Sequence, residues 1–551
     1  MPNNISLNTR IRQNLQLEIT DLSGGFVAMA ATYGLSDRFL EDVQNMELVQ
    51  GMWQKRKGFH RTGSFLGVAS APNTARGLHV FDYQGSLHIL GVYQSNLYRT
   101  YQVTTDGRGQ LLSGNIGGYG PVRFVDFRNR CYIADGAGGL HRYDGNRVER
   151  ISSPRGTVPA VYDNRILLGG IVGDPLALYF SDDGNGDEWP ALNYLVLDGA
   201  SNEKITGLYE LQGKLYIFTN KAIYSLVGSL DNFAVTKEVD GVGAVSAEAI
   251  QIFGNRFYFI AEDGHIYEFD GGSFPTQISK YIYRFIRSEL TYTFWQRAVT
   301  TYYRDGVWFT FDNSPLPDKR LTLVYYPEYQ AWTKFVGIPA ARYIYIGDGM
   351  YFTGSHNTGS LYQYGTQYND DLRHIDAYLK TTKWSFDALE NRKRFKTLYI
   401  RGATQGGGGN GFTIDFYVDD SLVATVRATT DIASEGELWG NGKWGEMHWG
   451  YAGETSGAVW GKATWGNFDW AGSKVKYSPK WGSAVWGSFI WGDHREGDLS
   501  EDVGRIYRKL YLSQYNVISG KTLQLVLRDS SPNHGFRFEY LRLEYIQKGA
   551  R

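Results

Sequence analysis

The sequence has very few of the residues that build disulfides and metal centres. Cys131 is the only cysteine, and the ten histidines are scattered without an HxH or HExxH spacing. A disulfide within the chain is therefore excluded, and so is a zinc site made of several cysteines. We expect Cys131 to be a small buried hydrophobe inside a strand, and we expect no cofactor.

The sequence also lacks an excess of charge and long apolar runs. Lys and Arg total 56, Asp and Glu total 57, and the formal net charge is −1. This balance disfavours a nucleic-acid or anionic-membrane binder that depends on bulk charge. We find no apolar run long enough for a signal peptide or a bilayer-spanning helix, and expect synthesis in a cytoplasm without the usual secretion signal.

Sequence motifs of catalysis are missing as well. There is no GxSxG elbow, no Walker loop and no GxGxxG between a strand and a helix. The adjacent carboxylates Asp370–Asp371 and Asp419–Asp420 are predicted to lie in turns. We therefore expect the protein not to be an enzyme. A glycosidase that assembles its acids from distant loops stays open as an alternative.

Turns and aromatic strands are abundant, with 67 Gly and 40 Tyr residues. The segment 252–272 is typical: a Gly-Asn turn, an aromatic strand, an Asp-Gly turn and a second strand. Aromatic and β-branched residues suit a pleated, half-buried surface, and Asp-Gly adopts the positive φ of tight turns. The segment therefore predicts an antiparallel hairpin.

Similar hairpins recur along the chain. Their leading turn residues are Gly85, Asn129, Asn164, Gly213, Asn255, Gly306 and Gly349. The spacing averages about 44 residues, which is typical of a β-propeller blade. We predict an all-β protein with a propeller of about seven blades over residues 76–372, preceded by an arm and first strands at 1–75. An irregular all-β domain is the alternative.

Two other regions have their own pattern. Residues 279–295 place apolar side chains at helical spacing, which predicts one helix. Beyond residue 373 the blade period ends, and apolar and polar residues alternate along several segments. That alternation predicts a C-terminal β-sandwich at 373–435 and 495–551.

The richest polar cluster is the segment from Ser181 to Trp189. Asp183, Asn185 and Asp187 alternate as the first ligands of a calcium loop do, although the downstream Glu of such a loop is missing. The segment also approaches the Asp-box of sialidase-like propellers, with one residue too many. An Asp/Gly turn closed by Trp189 is the interpretation we favour.

Residues 436–494 form a Trp-Gly insertion within the predicted sandwich. Three triplets of tryptophan repeat every 21 residues, and most are followed by Gly: Trp439, Trp444, Trp449, Trp460, Trp465, Trp470, Trp481, Trp486 and Trp491. Glycine at this density disfavours a helix. We predict three stacked copies of one short unit. The tryptophans are candidate contact residues for a glycan, a lipid headgroup or a neighbouring subunit, or else the core of a small repeat.

Both ends of the chain resemble a known family. The N-terminal residues are Asp21, Ser23-Gly24-Gly25, Gln44-Asn45 and the run Lys55-Arg56-Lys57-Gly58-Phe59, and a Lys-Arg-Phe-Lys run precedes a C-terminal strand. These features resemble the tail nozzle proteins of short-tailed bacteriophages, also called tail hub or tail tubular protein B-like proteins. The basic run itself is expected to be a solvated turn. The Trp-Gly insertion lies outside the resemblance.

The resemblance implies a structural virion protein located in the tail and made in the host cytoplasm. Such a protein forms a ring with itself, expected to be a hexamer, below the adaptor and portal complex. Tail fibres, spikes or a needle attach to the ring, and genomic DNA passes through it without sequence-specific binding. A contact with the host surface is a further expectation. A carbohydrate-binding or carbohydrate-cleaving propeller with a receptor-binding role is the alternative, and a cytoplasmic scaffold is a third.

Overall fold

The computed structural model describes residues 14–29, 36–65, 75–101, 109–229, 232–354, 359–386, 390–406, 411–428, 502–532 and 534–547, together with two two-residue strands between 448 and 459. The side chains of all nine tryptophans of the predicted insertion lie outside the described residues, and so does the predicted 21-residue repeat. Nearly all regular structure in the described part is β, as predicted.

The N-terminal segment contributes six strands: β1 Leu15–Ile19, β2 Gly25–Phe26, β3 Phe39–Gln44, β4 Met46–Val49, β5 Met52–Lys55 and β6 Phe59–Ser64. β4 and β5 form a hairpin, and β2 runs parallel to β3. The strands do not form a sheet of their own. They are distributed among sheets whose other members come from much later in the chain.

Six consecutive four-stranded antiparallel units follow, and they are blades of a β-propeller. Unit one contains β7 Ala75–Tyr83, β8 Ser86–Tyr93, β9 Asn96–Thr100 and β10 Gln110–Ser113; unit two contains β11 Arg123–Phe127, β12 Arg130–Ala134, β13 Leu140–Tyr143 and β14 Val148–Ile151. Unit three contains β15 Val158–Tyr162, β16 Arg165–Gly169, β17 Ala177–Phe180 and β18 Tyr194–Val196; unit four contains β19 Ile205–Leu211, β20 Lys214–Thr219, β21 Ala222–Val227 and β22 Ala234–Asp240. Unit five contains β23 Ile250–Phe253, β24 Arg256–Ile260, β25 Ile266–Phe269 and β26 Thr276–Gln277; unit six contains β27 Val299–Tyr303, β28 Gly306–Thr310, β29 Leu321–Tyr326 and β30 Ala331–Val336.

The turn residues that revealed the repeat lie between the first and second strands of the units. In units one to five both central residues of this turn have positive φ, as a two-residue hairpin turn of type I′ requires. Gln84–Gly85 and Gly254–Asn255 are examples. The propeller prediction is therefore confirmed at the level of fold, and its local cause is the repeated turn.

Two short helices follow unit five, α1 Tyr283–Glu289 and α2 Tyr292–Gln296, and 3₁₀ turns occur at Ala247–Ala249, Pro317–Lys319 and Leu512–Tyr515. The prediction of one helix over 279–295 was wrong in this respect. Leu290 and Thr291 have extended backbone conformations, which separate the two helices. Ile282, Ile286 and Leu290 are nevertheless buried, so the apolar spacing did mark the face that packs inward.

The next strands are β31 Ala340–Ile346, β32 Gly349–Gly354, β33 Ser360–Tyr364, β34 Asn369–Asp370, β35 Arg373–His374 and β36 Ala377–Thr381. The order β31-β32-β33 continues into β6, which pairs antiparallel with β33. An N-terminal strand therefore completes a sheet whose other strands lie about 300 residues later, for example through the partners Phe59 and Tyr364.

The C-terminal strands are β37 Lys393–Gln405, β38 Phe412–Val418, β39 Ser421–Ala428, β40 His448–Trp449, β41 Ala458–Val459, β42 Asp502–Tyr511, β43 Ser519–Gly520, β44 Leu523–Asp529 and β45 Gly535–Gln547. One sheet has the order β4-β5-β45-β37-β42, with β1 beside β45. A second has the order β3-β36-β44-β38-β39 and joins β30 of unit six through β3. Both sheets thus include N-terminal strands.

One apolar core extends through all three parts of the chain. It includes Trp53 from the N-terminal hairpin, Phe335 from unit six, and Leu379, Phe416 and Leu543 from the C-terminal sheets. Smaller clusters lie between neighbouring blades. Because burial of large apolar side chains is the main stabilising contribution, the N-terminal strands are integral to the C-terminal sheets.

Candidate functional sites

The basic run Lys55-Arg56-Lys57 is buried, so its prediction as a solvated turn was wrong. Lys55 and Arg56 have no exposed surface, and Lys57 is 9% exposed. Burying a cation is costly unless it is paired and hydrogen-bonded, and each of the three has specific partners. The run ends β5 and leads into β6, at the meeting point of the N-terminal strands, unit six and the C-terminal sheets.

All five N–H donors of Arg56 are used. Nε donates to Asn45 Oδ1 at 2.9 Å, and one donor of each terminal nitrogen reaches a backbone carbonyl, that of Lys57 or Val336. The remaining two donate to the Asp370 carboxylate at 2.9 and 2.6 Å. This bidentate geometry is the strongest form of side-chain ion pair. The Arg56 side chain therefore connects the end of β5 to the end of β30 in unit six and to β34.

Lys55 points toward the C-terminal sheets. Its Nζ donates to Asp529 Oδ2 at 3.0 Å and to the carbonyls of Ser531 and His534 at 2.6 and 3.3 Å. Burial lowers the pKa of Lys55, and the Asp529 carboxylate offsets part of that effect. The side chain therefore connects the N-terminal hairpin to the loop between β44 and β45.

At the end of the run, an aromatic ring and a close backbone approach fix Lys57 and Gly58. Lys57 Nζ lies 4.0 Å from the centre of the Tyr368 ring, within the range of a cation–π contact. A Cβ on Gly58 would lie 1.9 Å from the Asn369 carbonyl oxygen, so only glycine fits there. We call residues 55–58 with their partners the basic junction.

A second polar cluster occupies the centre of the propeller. Arg123 on β11 donates twice to Glu248, at 2.9 and 2.8 Å, and once to the Thr157 carbonyl at 2.8 Å. Units two and five are not neighbours in the order of blades, so the pair bridges them across the central space. Arg342 on β31 lies close enough to Glu248 to act on its charge.

Arg76 on β7 completes this axial cluster. Its guanidinium donates to the carbonyls of Gln94, Gly117 and Gly120 at 2.5, 2.6 and 2.9 Å, and its own carbonyl accepts from Arg342 Nε at 3.2 Å. The cluster carries three guanidinium groups and one carboxylate. Asp135 also acts on the charge of Arg76. The sequence did not indicate this cluster, because its residues come from distant parts of the chain.

The axial ion pair makes stability depend on pH. Burial alone would raise the pKa of Glu248, but Arg123 and Arg342 outweigh it, and the pKa is lowered from its usual value of 4.5. A lowered acid pKa stabilises the folded state above the unfolded pKa, and this stabilisation is lost as the pH falls through the folded pKa.

We therefore expect Glu248→Gln to destabilise the protein by about 2–3 kcal/mol at pH 7, because charged hydrogen bonds are lost. The difference from wild type should begin to shrink below about pH 4.5, where the unfolded chain binds a proton at Glu248, and should disappear as the pH falls through the lower pKa of the folded state. Thermal melting of both proteins across pH 3–8 measures this difference in stability. Asp240→Asn, at an exposed carboxylate, is the control. A difference that stays constant over that range would contradict the assignment.

The segment Ser181–Trp189 forms a turn whose polar groups bond to protein partners. Asp187 accepts from Arg130 and Arg142, at 2.6 and 2.5 Å, and from the Tyr132 hydroxyl at 3.0 Å. Trp189 Nε1 donates to the Gly186 carbonyl at 3.1 Å. This arrangement is that of a turn closed by Trp189.

The other two proposed calcium ligands also have partners. Asp183 Oδ1 accepts from Asn164 at 2.7 Å, and Asn185 Oδ1 accepts from the Asp187 backbone N–H at 3.1 Å. A calcium ion would have to compete with two guanidinium groups for Asp187. The turn borders an open cleft of about 300 Å³, lined by Phe127, Arg128, Arg130, Tyr132, Gly184, Asn185 and Gly186.

These observations define an all-β protein built on a β-propeller. No protein-family model and no curated protein matches the chain. Similar solved structures include BamB from Moraxella catarrhalis, with 11% identity over 59% of this chain and 96% of that one and a TM-score of 0.37. YCF48 from Cyanidioschyzon merolae has 12% identity, coverage of 56% and 98%, and a TM-score of 0.37. YCF48 bound to D1 peptide has 14% identity, coverage of 56% and 97%, and a TM-score of 0.33. At these identities the likeness concerns the fold alone.

Among the described residues, no helix is long and apolar enough to cross a bilayer.

Proposed function

We propose that the protein is a structural component of a virion, the tail nozzle of a short-tailed bacteriophage. The observation that carries the proposal is the position of the residues on which the resemblance rests. Asn45, Arg56 and Gly58 meet in the basic junction, and Gly25, with φ of 73°, packs against the backbone of Trp332. The residues that carry the resemblance therefore hold strands and loops together, as expected of a structural protein.

The architecture we propose has seven blades and a C-terminal sandwich. The sheet β31-β32-β33-β6 would be the seventh blade, because β31 lies against both β27 of unit six and β7 of unit one. The N-terminal strand β6 would then close the ring of blades. The two C-terminal sheets, which share one core, would form the sandwich. Closure by an N-terminal strand suits a subunit that must withstand mechanical stress during genome release.

The axial cluster supports a particular path for DNA. The Arg123–Glu248 pair bridges units two and five of the propeller. Genomic DNA would therefore pass through the centre of a ring of subunits. The remaining partners are those of a nozzle: the adaptor and portal complex on one side, and fibres, spikes or a needle on the other.

We expect the purified protein to form rings when it is mixed with the portal–adaptor complex of its own phage. Size-exclusion chromatography with light scattering measures the conversion, and electron microscopy of the product gives the ring size. The protein without the complex is the control for spontaneous assembly. A protein that stays monomeric with the complex would contradict the proposal.

A carbohydrate-binding propeller is the second candidate, favoured by the cleft beside the Asp-box-like turn. Arg128 and Arg130 provide donors there, although they also bond to Asn164 and Asp187. The same preparation should therefore be tested against host surface oligosaccharides. Binding that is lost in Arg128→Ala, combined with failure to assemble, would favour this function over the nozzle.

A further inference from the structure

Three metal-ligating side chains meet at the interface of units one and two. His79 lies on β7, Asp126 on β11 and Cys131 on β12. One ligand atom from each lies within 4.8 Å of the other two. His79 Nε2 is 2.9 and 3.0 Å from the two Asp126 carboxylate oxygens. The sequence did not indicate this group, because it comes from two blades and has no local spacing motif.

The propeller fold fixes the relative positions of the three. Asp126 and Cys131 are directly paired across the β11–β12 ladder, so their side chains lie on the same face of the sheet. The His79 ring stacks on Phe124, with centroids 5.1 Å apart and planes within 6°. Phe124 lies two residues before Asp126 on the same strand and hence on the same face. The stacking therefore directs His79 toward the carboxylate.

Burial is graded from one side of the group to the other. Cys131 is fully buried, whereas the side chains of His79 and Asp126 are 25% and 42% exposed. The side chains of His79 and Asp126 can therefore move toward an ion, while Cys131 stays fixed. Solvent reaches the group on the Asp126 side. A structural zinc site usually has four protein ligands, so a three-ligand site with solvent access would hold a water as the fourth.

The distances are compatible with a bound ion. Three atoms within 4.8 Å of one another all lie within about 2.8 Å of a common point, and zinc bonds to S, N and O are about 2.0–2.3 Å long. The contraction needed is less than about 1 Å, which small rotations of the His79 and Asp126 side chains can supply. Imidazole, carboxylate and thiolate are the donors that Zn²⁺ and Co²⁺ accept.

Another His–Asp pair in unit two provides an internal comparison. His141 Nε2 lies 3.1 Å from Asp135, and that carboxylate also accepts from the backbone N–H groups of Ala137 and Gly139 at 2.9 and 2.6 Å. Both side chains are 4% exposed. That pair is a closed, hydrogen-bonded structural element without a thiol. The group at His79 differs in having a thiol and an exposed side.

We propose that His79, Asp126 and Cys131 bind one divalent transition-metal ion, Zn²⁺, with water as the fourth ligand. The ion would clamp units one and two together. Binding forms a metal–sulfur bond and releases the thiol proton to solvent, so no redox partner is needed. The proposal does not depend on a role in a virion.

Cobalt is the probe of choice because its spectrum reports a thiolate ligand. We expect metal-free, tag-free protein to bind one equivalent of Co²⁺ with visible d–d bands and a near-ultraviolet thiolate-to-cobalt charge-transfer band. One equivalent of Zn²⁺ should displace it.

Amino-acid substitutions distinguish specific coordination by these three residues from non-specific binding of Co²⁺. Cys131→Ser should abolish the charge-transfer band, and Asp126→Asn, at a partly exposed position, should weaken Co²⁺ at least about tenfold, a loss that even outer-shell changes can cause. His374→Gln, at an exposed histidine on β35, is the matched control and should bind like wild type. A wild-type spectrum without the charge-transfer band would overturn the proposal. So would unchanged affinity in Asp126→Asn, and the group would then be a hydrogen-bonded trio.

Discussion

Replacing Arg56 with alanine should destabilise the protein by about 3–5 kcal/mol, because it leaves the buried Asp370 carboxylate without its partner. The side chain of Asp370 is 10% exposed, so water cannot replace the lost donors freely. Two backbone carbonyls, of Lys57 and Val336, lose their donors as well. Urea unfolding followed by tryptophan fluorescence and by calorimetry measures the change.

Arg147→Ala is the matched control for this change. The Arg147 side chain is 75% exposed, and its carboxylate partners lie 3.9 and 3.5 Å away. Exposed pairs contribute little, so its effect should stay within about 0.5 kcal/mol. If Arg56→Ala proved no more destabilising than Arg147→Ala, the basic junction would not be a stabilising element.

Two further variants distinguish charge from packing. Arg56→Lys keeps the charge but loses the planar fork, so it should fall between alanine and wild type. The double change Arg56→Met with Asp370→Leu removes both charges together. Buried ion pairs can often be replaced by apolar residues at small cost, so the double variant should recover part of the lost stability. The carbonyls of Lys57 and Val336 would still lack donors, which limits the recovery.

The parts of the fold that could be predicted depend on local sequence. A two-residue turn of type I′ needs positive φ at both central residues, and Gly and Asn adopt it readily. That requirement recurs at Gln84–Gly85 and Gly254–Asn255, and so the blade period is visible in the sequence. Cys131 lies in a strand and is buried, as expected from its apolar neighbours.

The basic junction could not be predicted for the opposite reason. Arg56 and Asp370 are 314 residues apart, and Lys55 and Asp529 are 474 residues apart. In a single sequence, three adjacent cationic residues have the pattern of a solvated turn, and this pattern is the same whether or not distant carboxylates pair with them in the fold. The pairing of β1 with β45 has the same origin, since no local pattern specifies which distant strand an arm will join.

The candidate sites follow the same division. The Ser181–Trp189 turn was recognisable because its residues are consecutive, and its interpretation as a turn closed by Trp189 agrees with the hydrogen bond from Trp189 to Gly186. The axial cluster and the group at His79 were missed because each joins residues from different blades. Histidine spacing excludes only sites whose ligands are close in sequence, so it had no bearing on His79, Asp126 and Cys131.

Deleting residues 437–493, the core of the predicted Trp-Gly insertion, should leave the melting temperature nearly unchanged and abolish infection. The physical reason lies in the flanking strands. β39 pairs with β38 and β42 with β37, and each ends its sheet in the order of described strands. The insertion therefore leaves from one sheet edge and returns to another, and its removal does not interrupt a ladder between them. Residues 429–436 and 494–501 remain to connect Ala428 with Asp502.

The expected loss of infection rests on the proposed nozzle role and on composition. Nine tryptophans in so short a segment exceed what a small projection buries by itself, and exposed aromatic groups mark contact sites in soluble proteins. Tryptophan also carries an N–H donor, which favours partners that offer acceptors, such as a glycan or a neighbouring subunit.

Two measurements on the deletion variant decide the matter together. Calorimetry of the isolated protein tests whether the body of the chain is intact, and plating of particles that carry the variant tests function. Nine Trp→Ala substitutions in an otherwise full-length chain are the matched control, because they keep the length of the segment and remove only its rings. Normal melting with loss of infection in both variants supports a contact role. A collapse of the melting temperature would instead make the insertion part of the core, and normal infection by both variants would leave the tryptophans without a contact role in infection.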